Sequence, residues 1–100
     1  MKGGEKKMLS QIPLNLAKVS QQDLDNEIAR VGMMAELDAV SLYEQLAAIT
    51  GNQNLKKVLL DIAKEEKTHV GEFQALLLKE DQEQKQELIK GEKEIEDLTG

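Results

Sequence analysis

The chain of 100 residues has no cysteine, no tryptophan, one tyrosine, one phenylalanine and one proline. Without cysteine there is no disulfide, zinc ribbon, thiol catalysis or rubredoxin-type iron site. No apolar run approaches the roughly 18 residues of a membrane span, so no membrane partner is expected. No signal-peptide core follows Met1, because Gly3, Gly4, Glu5 and Lys6 come at once. A basic surface is lacking too. Acids outnumber bases 19 to 13, for a formal charge of −6. That balance argues against a nucleic-acid partner, which needs a positive face. The expected setting is a reducing, cytoplasmic one. The length allows one domain, or part of an assembly.

What is present is helical. Lys, Glu, Leu, Ala and Gln dominate, and Pro13 lies near the start. Residues 1–20 lack periodicity and read as a flexible arm, with Met8 as a natural start. Residues 21–80 read as a helical hairpin. Its first helix is expected to begin at Ser20 as N-cap, with Asp23 completing an imperfect capping box. It runs to about Thr50, where Gly51 supplies the left-handed residue that ends many helices. Asn52 or Asn54 caps the second helix, which runs to about Glu80. Residues 81–100 form a weaker amphipathic third helix, interrupted at Gly91. Helices of this length reach ~40 Å, so two of them cannot wrap their own core. The simplest remedy is a second copy. The expected fold class is therefore all-α: an antiparallel two-helix hairpin plus a short third C-terminal helix, dimerising into a four-helix bundle.

The second helix carries a heptad seam of Leu55, Leu59, Ile62, Glu66, His69, Phe73 and Leu76. The two polar members are adjacent, at its middle, where an uncompensated charge costs several kcal/mol. The first helix has a wide apolar sector. One stripe is Leu24, Ile28, Val31, Ala35, Leu42, Leu46 and Ile49. The neighbouring one is Ala29, Gly32, Glu36, Ala39, Tyr43 and Leu46. The second stripe is small-sided with one carboxylate, Glu36, near its middle. A helical glycine costs roughly 0.5–1 kcal/mol against alanine, so Gly32 points to a close approach or a cavity beside that carboxylate.

Glu66-x-x-His69 places a carboxylate and an imidazole one turn apart on one face. Glu36, also near mid-length, meets them at the same height in a hairpin. Ferritin-like di-iron sites use a Glu from each of two helices and a Glu-x-x-His from each of two others. The chain supplies half of such a site in half of such a bundle, and a two-fold dimer supplies both halves. Four carboxylates then balance two Fe²⁺ ions. Glu36, Glu66 and His69 are thus the candidate catalytic and metal-ligating residues, with iron as cofactor. The bland alternative makes His69 a core histidine satisfied by Glu66. Tyr43, one heptad beyond Glu36, is either a second-layer hydrogen-bond donor to a ligand or a packing residue.

Two stretches, MAELDAVSLYEQLA (Met34–Ala47) and DIAKEEKTHVGEFQALL (Asp61–Leu77), resemble the encapsulated ferritins. These are short ferritin-like proteins housed in encapsulin nanocompartments. The resemblance spans roughly Leu24–Leu78 and is strongest to the archaeal type, fused ahead of a shell domain. It implies a ferroxidase that oxidises Fe²⁺ to Fe³⁺ with oxygen and supplies iron for storage inside the shell. It implies Glu36, Glu66 and His69 as iron ligands, and a homodecameric ring in which each di-iron centre lies between two chains. The third helix would then touch neighbouring chains. Asp38 falls where family members carry an acid that guides metal inward, whereas Ala35 stands where others carry a glutamate. The chain ends at Thr99-Gly100 without the apolar tail that docks cargo members on a shell, as expected either of a domain excised from a fusion or of a cargo member whose tail was removed. Two other readings stay open: a rubrerythrin-like di-iron peroxidase, disfavoured by the missing cysteines, and a metal-free helical oligomerisation module.

Overall fold

The structure, a computed structural model, describes residues 15–21 and 23–100. Most of the expected N-terminal arm lies outside the described residues. A single helical turn, Leu16–Lys18, precedes three α-helices: α1 (Leu24–Ile49), α2 (Gln53–Glu80) and α3 (Gln82–Thr99). No strand occurs among the described residues. The chain is all-α, and α1 and α2 pack as the hairpin.

Local chemistry sets the helix ends. α1 starts four residues later than the expected Ser20 cap. The Ser20 hydroxyl donates to Asp23 Oδ2 at 2.9 Å and accepts the Asp23 N–H at 3.3 Å. The two side chains satisfy one another in a turn, and Asp23 becomes the N-cap through its backbone alone. Asp25 and Glu27 then place negative charge in the first turn, which the helix dipole favours.

The α1–α2 turn differs from the expected glycine stop. Thr50, not Gly51, leaves the helix, in an extended conformation. Its Oγ1 accepts the Asn52 N–H at 3.1 Å, and Asn52 Oδ1 accepts the Leu55 N–H at 3.0 Å. A Thr50 side-chain turn and the Asn52 N-cap thus stand where a left-handed glycine was expected, and Gly51 has no positive φ.

The α2–α3 joint is one residue. Asp81 donates its N–H to the Leu77 carbonyl at 2.9 Å, closing α2. Its Oδ1 accepts the Gln84 N–H at 2.9 Å, opening α3. Beyond it α3 continues through Gly91 rather than breaking there. One glycine costs only about 1 kcal/mol, less than the lysine- and glutamate-rich segment and its two capped ends withstand. None of the residues of α3 is buried.

The buried line inside the hairpin is mostly alanine and lies round from the expected seam. Ala29, Val40 and Ala47 of α1 and Ala63 and Leu77 of α2 are the buried residues, with Ala47 1% and Ala63 2% exposed. Leu59, Glu66 and Phe73 belong to both lines and are half-buried. The outer seam residues are open: Leu55 is 47% and Leu76 59% exposed. On α1 the expected larger stripe is open as well, at Ile28, Leu42, Leu46 and Ile49. The physical reason is distance. Alanines let two helix backbones approach closely, so they form the intrachain contact, and the branched residues are left on a flanking face.

Candidate metal centre

α1 and α2 run antiparallel, which sets the middle of one against the middle of the other. Glu36 comes from the fourth turn of α1. Glu66 and His69 come from one turn of α2. His69 Nδ1 lies 3.3 Å from Glu36 Oε2 and 3.4 Å from Glu66 Oε2. One ligand atom from each of the three residues falls within 4.8 Å of the others. Both carboxylates are largely sheltered, at 20% and 19% exposure, while the imidazole is 43% exposed.

These separations suit an ion better than a hydrogen bond. A good N–H···O bond spans 2.7–3.2 Å, and a single Nδ1 cannot serve two carboxylates equally. Ligand atoms held ~2.1 Å from a common ion sit roughly 3.0–3.4 Å apart. Carboxylate oxygen and imidazole nitrogen are donors suited to Fe²⁺, Mn²⁺ or Zn²⁺. A cation held by both carboxylates would offset their mutual repulsion. The residues present therefore fit a divalent ion. Three side-chain donors leave further positions for a second chain or water.

Tyr43 and Asp38 stand apart from this cluster. Tyr43 is half-buried two turns beyond Glu36, and no hydrogen bond joins it to the three residues. Asp38 is half-buried two positions after Glu36, and so points well away from it around the helix.

The surroundings are apolar. By helical spacing His69 shares its seam with exposed Leu55 and Leu76 of α2, and α1 carries exposed Ile28, Leu42, Leu46 and Ile49. At one edge the ring of Phe73 lies on Gly32, where a Cβ would come within 2.8 Å of three ring carbons.

A family model described as EncFtn-like matches residues 12–91. The chain belongs to the EncFtn-like family. It is 55% identical over 74 residues, 74% of its length, to the ferritin-like-encapsulin shell fusion protein of Pyrococcus furiosus. This EncFtn-like chain spans about a fifth of that relative, 21% of its length. The crystal structure of the encapsulated ferritin domain from Pyrococcus furiosus superposes with a TM-score of 0.79 at 49% identity. The match covers 92% of this chain and 96% of that one. The fold is thus that of an encapsulated ferritin, with the three-residue cluster at mid-height of its hairpin. Among the described residues, no helix is long and apolar enough to cross a membrane.

One polar element was not foreseen from the sequence. Arg30 on α1 donates to Glu27 Oε1 and to Asp81 Oδ2, both at 2.7 Å. The Glu27 hydrogen bond, helped by Asp81, raises the Arg30 pKa against the opposing effect of partial burial. Asp81 therefore caps α3 with one oxygen and holds α1 with the other. Its signal was present in Asp81-x-x-Gln84, a capping-type spacing, but the partner 51 residues away was not legible.

Proposed function

We propose that this chain is a ferroxidase, oxidising Fe²⁺ to Fe³⁺ with oxygen at a di-iron centre completed by a second copy. The observation that carries this reading is the position of the Glu36–Glu66–His69 cluster. The three residues could hold one metal ion, and among the described residues both helices carry exposed leucines and isoleucines; in this reading the cluster is half of a symmetric carboxylate–imidazole site. A two-fold partner on the flanking face brings the second set of ligands and buries the exposed leucines in one step.

In this reading Fe²⁺ is the substrate, and each of the paired ions gives up one electron to oxygen. Glu36, Glu66 and His69 hold the ions. Tyr43, two turns along α1, acts on the site only through packing, and Asp38, pointing away from the cluster, contributes only its negative charge to attracting cations. The relative in Pyrococcus furiosus is a fusion with an encapsulin shell, which supports work inside an encapsulin nanocompartment in the cytoplasm. Ten copies would form a ring, and the shell would store the iron.

The test is aerobic addition of Fe²⁺ while following Fe³⁺ absorbance, for the native chain and Glu36→Ala. A drop in initial rate of at least tenfold is expected. Equal rates would overturn the assignment. Repeating the native measurement with peroxide in place of oxygen separates this activity from a peroxidase.

A further inference from the structure

We propose that Phe73, seated in the notch left by Gly32, is a positioning residue that walls the metal cluster off from the groove beside it. The inference rests on the metal-site reading above and adds residues that take no part in ligation. Gly32 stands one turn before Glu36, and Phe73 stands one turn after His69. Because the helices are antiparallel, both lie at the same level, one turn from the cluster. The ring fits there only because Gly32 has no side chain. A Cβ at that position would lie 2.8 Å from Cδ1, Cε1 and Cζ of the ring, closer than carbon atoms pack.

On its other side the same ring lines a groove between α1 and α2, with Ile28, Ala29 and Leu76. The groove opens towards charged residues at the hairpin end, among them Asp25 and Lys79. Phe73 is therefore a partition between a water-accessible groove and the ligands. A cation bound by Glu36, Glu66 and His69 has coordination positions that this chain does not fill. On the groove side an apolar ring offers no donor to a bound cation. The partition keeps that side dry and reserves the open positions for ligands arriving from the flanking face.

Co²⁺ is a suitable probe, because its visible absorption weakens when water raises its coordination number. Native chain, Phe73→Leu, Phe73→Ala and Gly32→Ala would each be titrated with Co²⁺. Helix content and assembly would be followed by circular dichroism and gel filtration. Both Phe73 variants and the displaced ring of Gly32→Ala are expected to lower the molar absorption, by about half in Phe73→Ala. They should raise the Co²⁺ Kd severalfold, with Phe73→Leu the mildest. A spectrum and Kd identical to native in Phe73→Leu and Phe73→Ala would overturn the proposal, even if thermal stability falls. Phe73→Leu keeps the glycine and most of the packing, so it answers the question if the harsher variants do not fold. Glu36→Ala separates the two readings. If it leaves Co²⁺ binding intact, the metal site itself is wrong. If it abolishes binding while the Phe73 variants bind as native, only the partition is wrong.

Discussion

The imidazole of His69 on α2 faces the carboxylate of Glu36 on α1 at 3.3 Å, across 33 residues of sequence. The contact joins the middles of two helices, and the same Nδ1 lies 3.4 Å from Glu66 Oε2, so one imidazole nitrogen faces two carboxylates. At that distance the contact is longer than a strong hydrogen bond, and its energetic meaning depends on whether an ion sits between the two residues.

A divalent ion should stabilise the folded chain. An ion at 100 times its Kd adds about 2.7 kcal/mol when it binds only the folded state. For a chain of this size that is a rise in Tm of roughly 10 °C or more. Thermal unfolding with Zn²⁺ and with EDTA checks it. His69→Ala should abolish the difference, and an unchanged difference would count against the cluster as the binding site.

Lysines on the flanking face should separate copies without unfolding them. Leu42 and Leu76 are 39% and 59% exposed, so a charge there meets little of its own chain. Leu42→Lys with Leu76→Lys should keep native helix content and elute at the mass of one chain, 11.2 kDa. Light scattering on the eluted peak decides. A native-sized assembly would place the interface elsewhere.

Asp81 performs two tasks that substitutions can separate. Asn also caps helices well, so Asp81→Asn removes only the charge facing Arg30. Half-exposed pairs contribute modestly, on the order of 0.5 kcal/mol. Asp81→Ala removes the cap too, adding about 1 kcal/mol. Urea unfolding of both variants should show that order, and equal losses would show that the cap contributes nothing.

The small-residue line should not tolerate growth. Ala47→Leu and Ala63→Leu push α1 and α2 apart, at a cost of about 1–3 kcal/mol each. Ala48→Leu, on an exposed position beside Ala47, should change little. Thermal melts of the three variants compare them directly, and a melt of Ala47→Leu matching that of Ala48→Leu would show that the helices do not meet there.

Much of the site was legible in the order of residues. Glu66-x-x-His69 puts two donors on one face in any α-helix, and Glu36 follows from mid-length matching in any hairpin. The choice of face was not legible. The seam of Leu55, Ile62 and Leu76 is apolar and regular, and such a pattern marks a surface that wants covering. It does not say whether the cover is the chain's own α1 or another copy. The structure gives the intrachain contact to Ala47, Ala63 and Ala29, residues that pattern reading ranks low because they are small. Arg30 with Asp81 was hidden for another reason. An ion pair across 51 residues has no periodicity to betray it.

The sequence by itself determined the helices, their approximate ends and the meeting of Glu36, Glu66 and His69, because these depend on local capping, helical period and mid-length matching in a hairpin. Only the tertiary structure decided which lines of α1 and α2 touch, and that Gly32 receives the ring of Phe73. Both depend on how closely two backbones approach. That distance is set jointly by side chains on both helices, so no single segment specifies it.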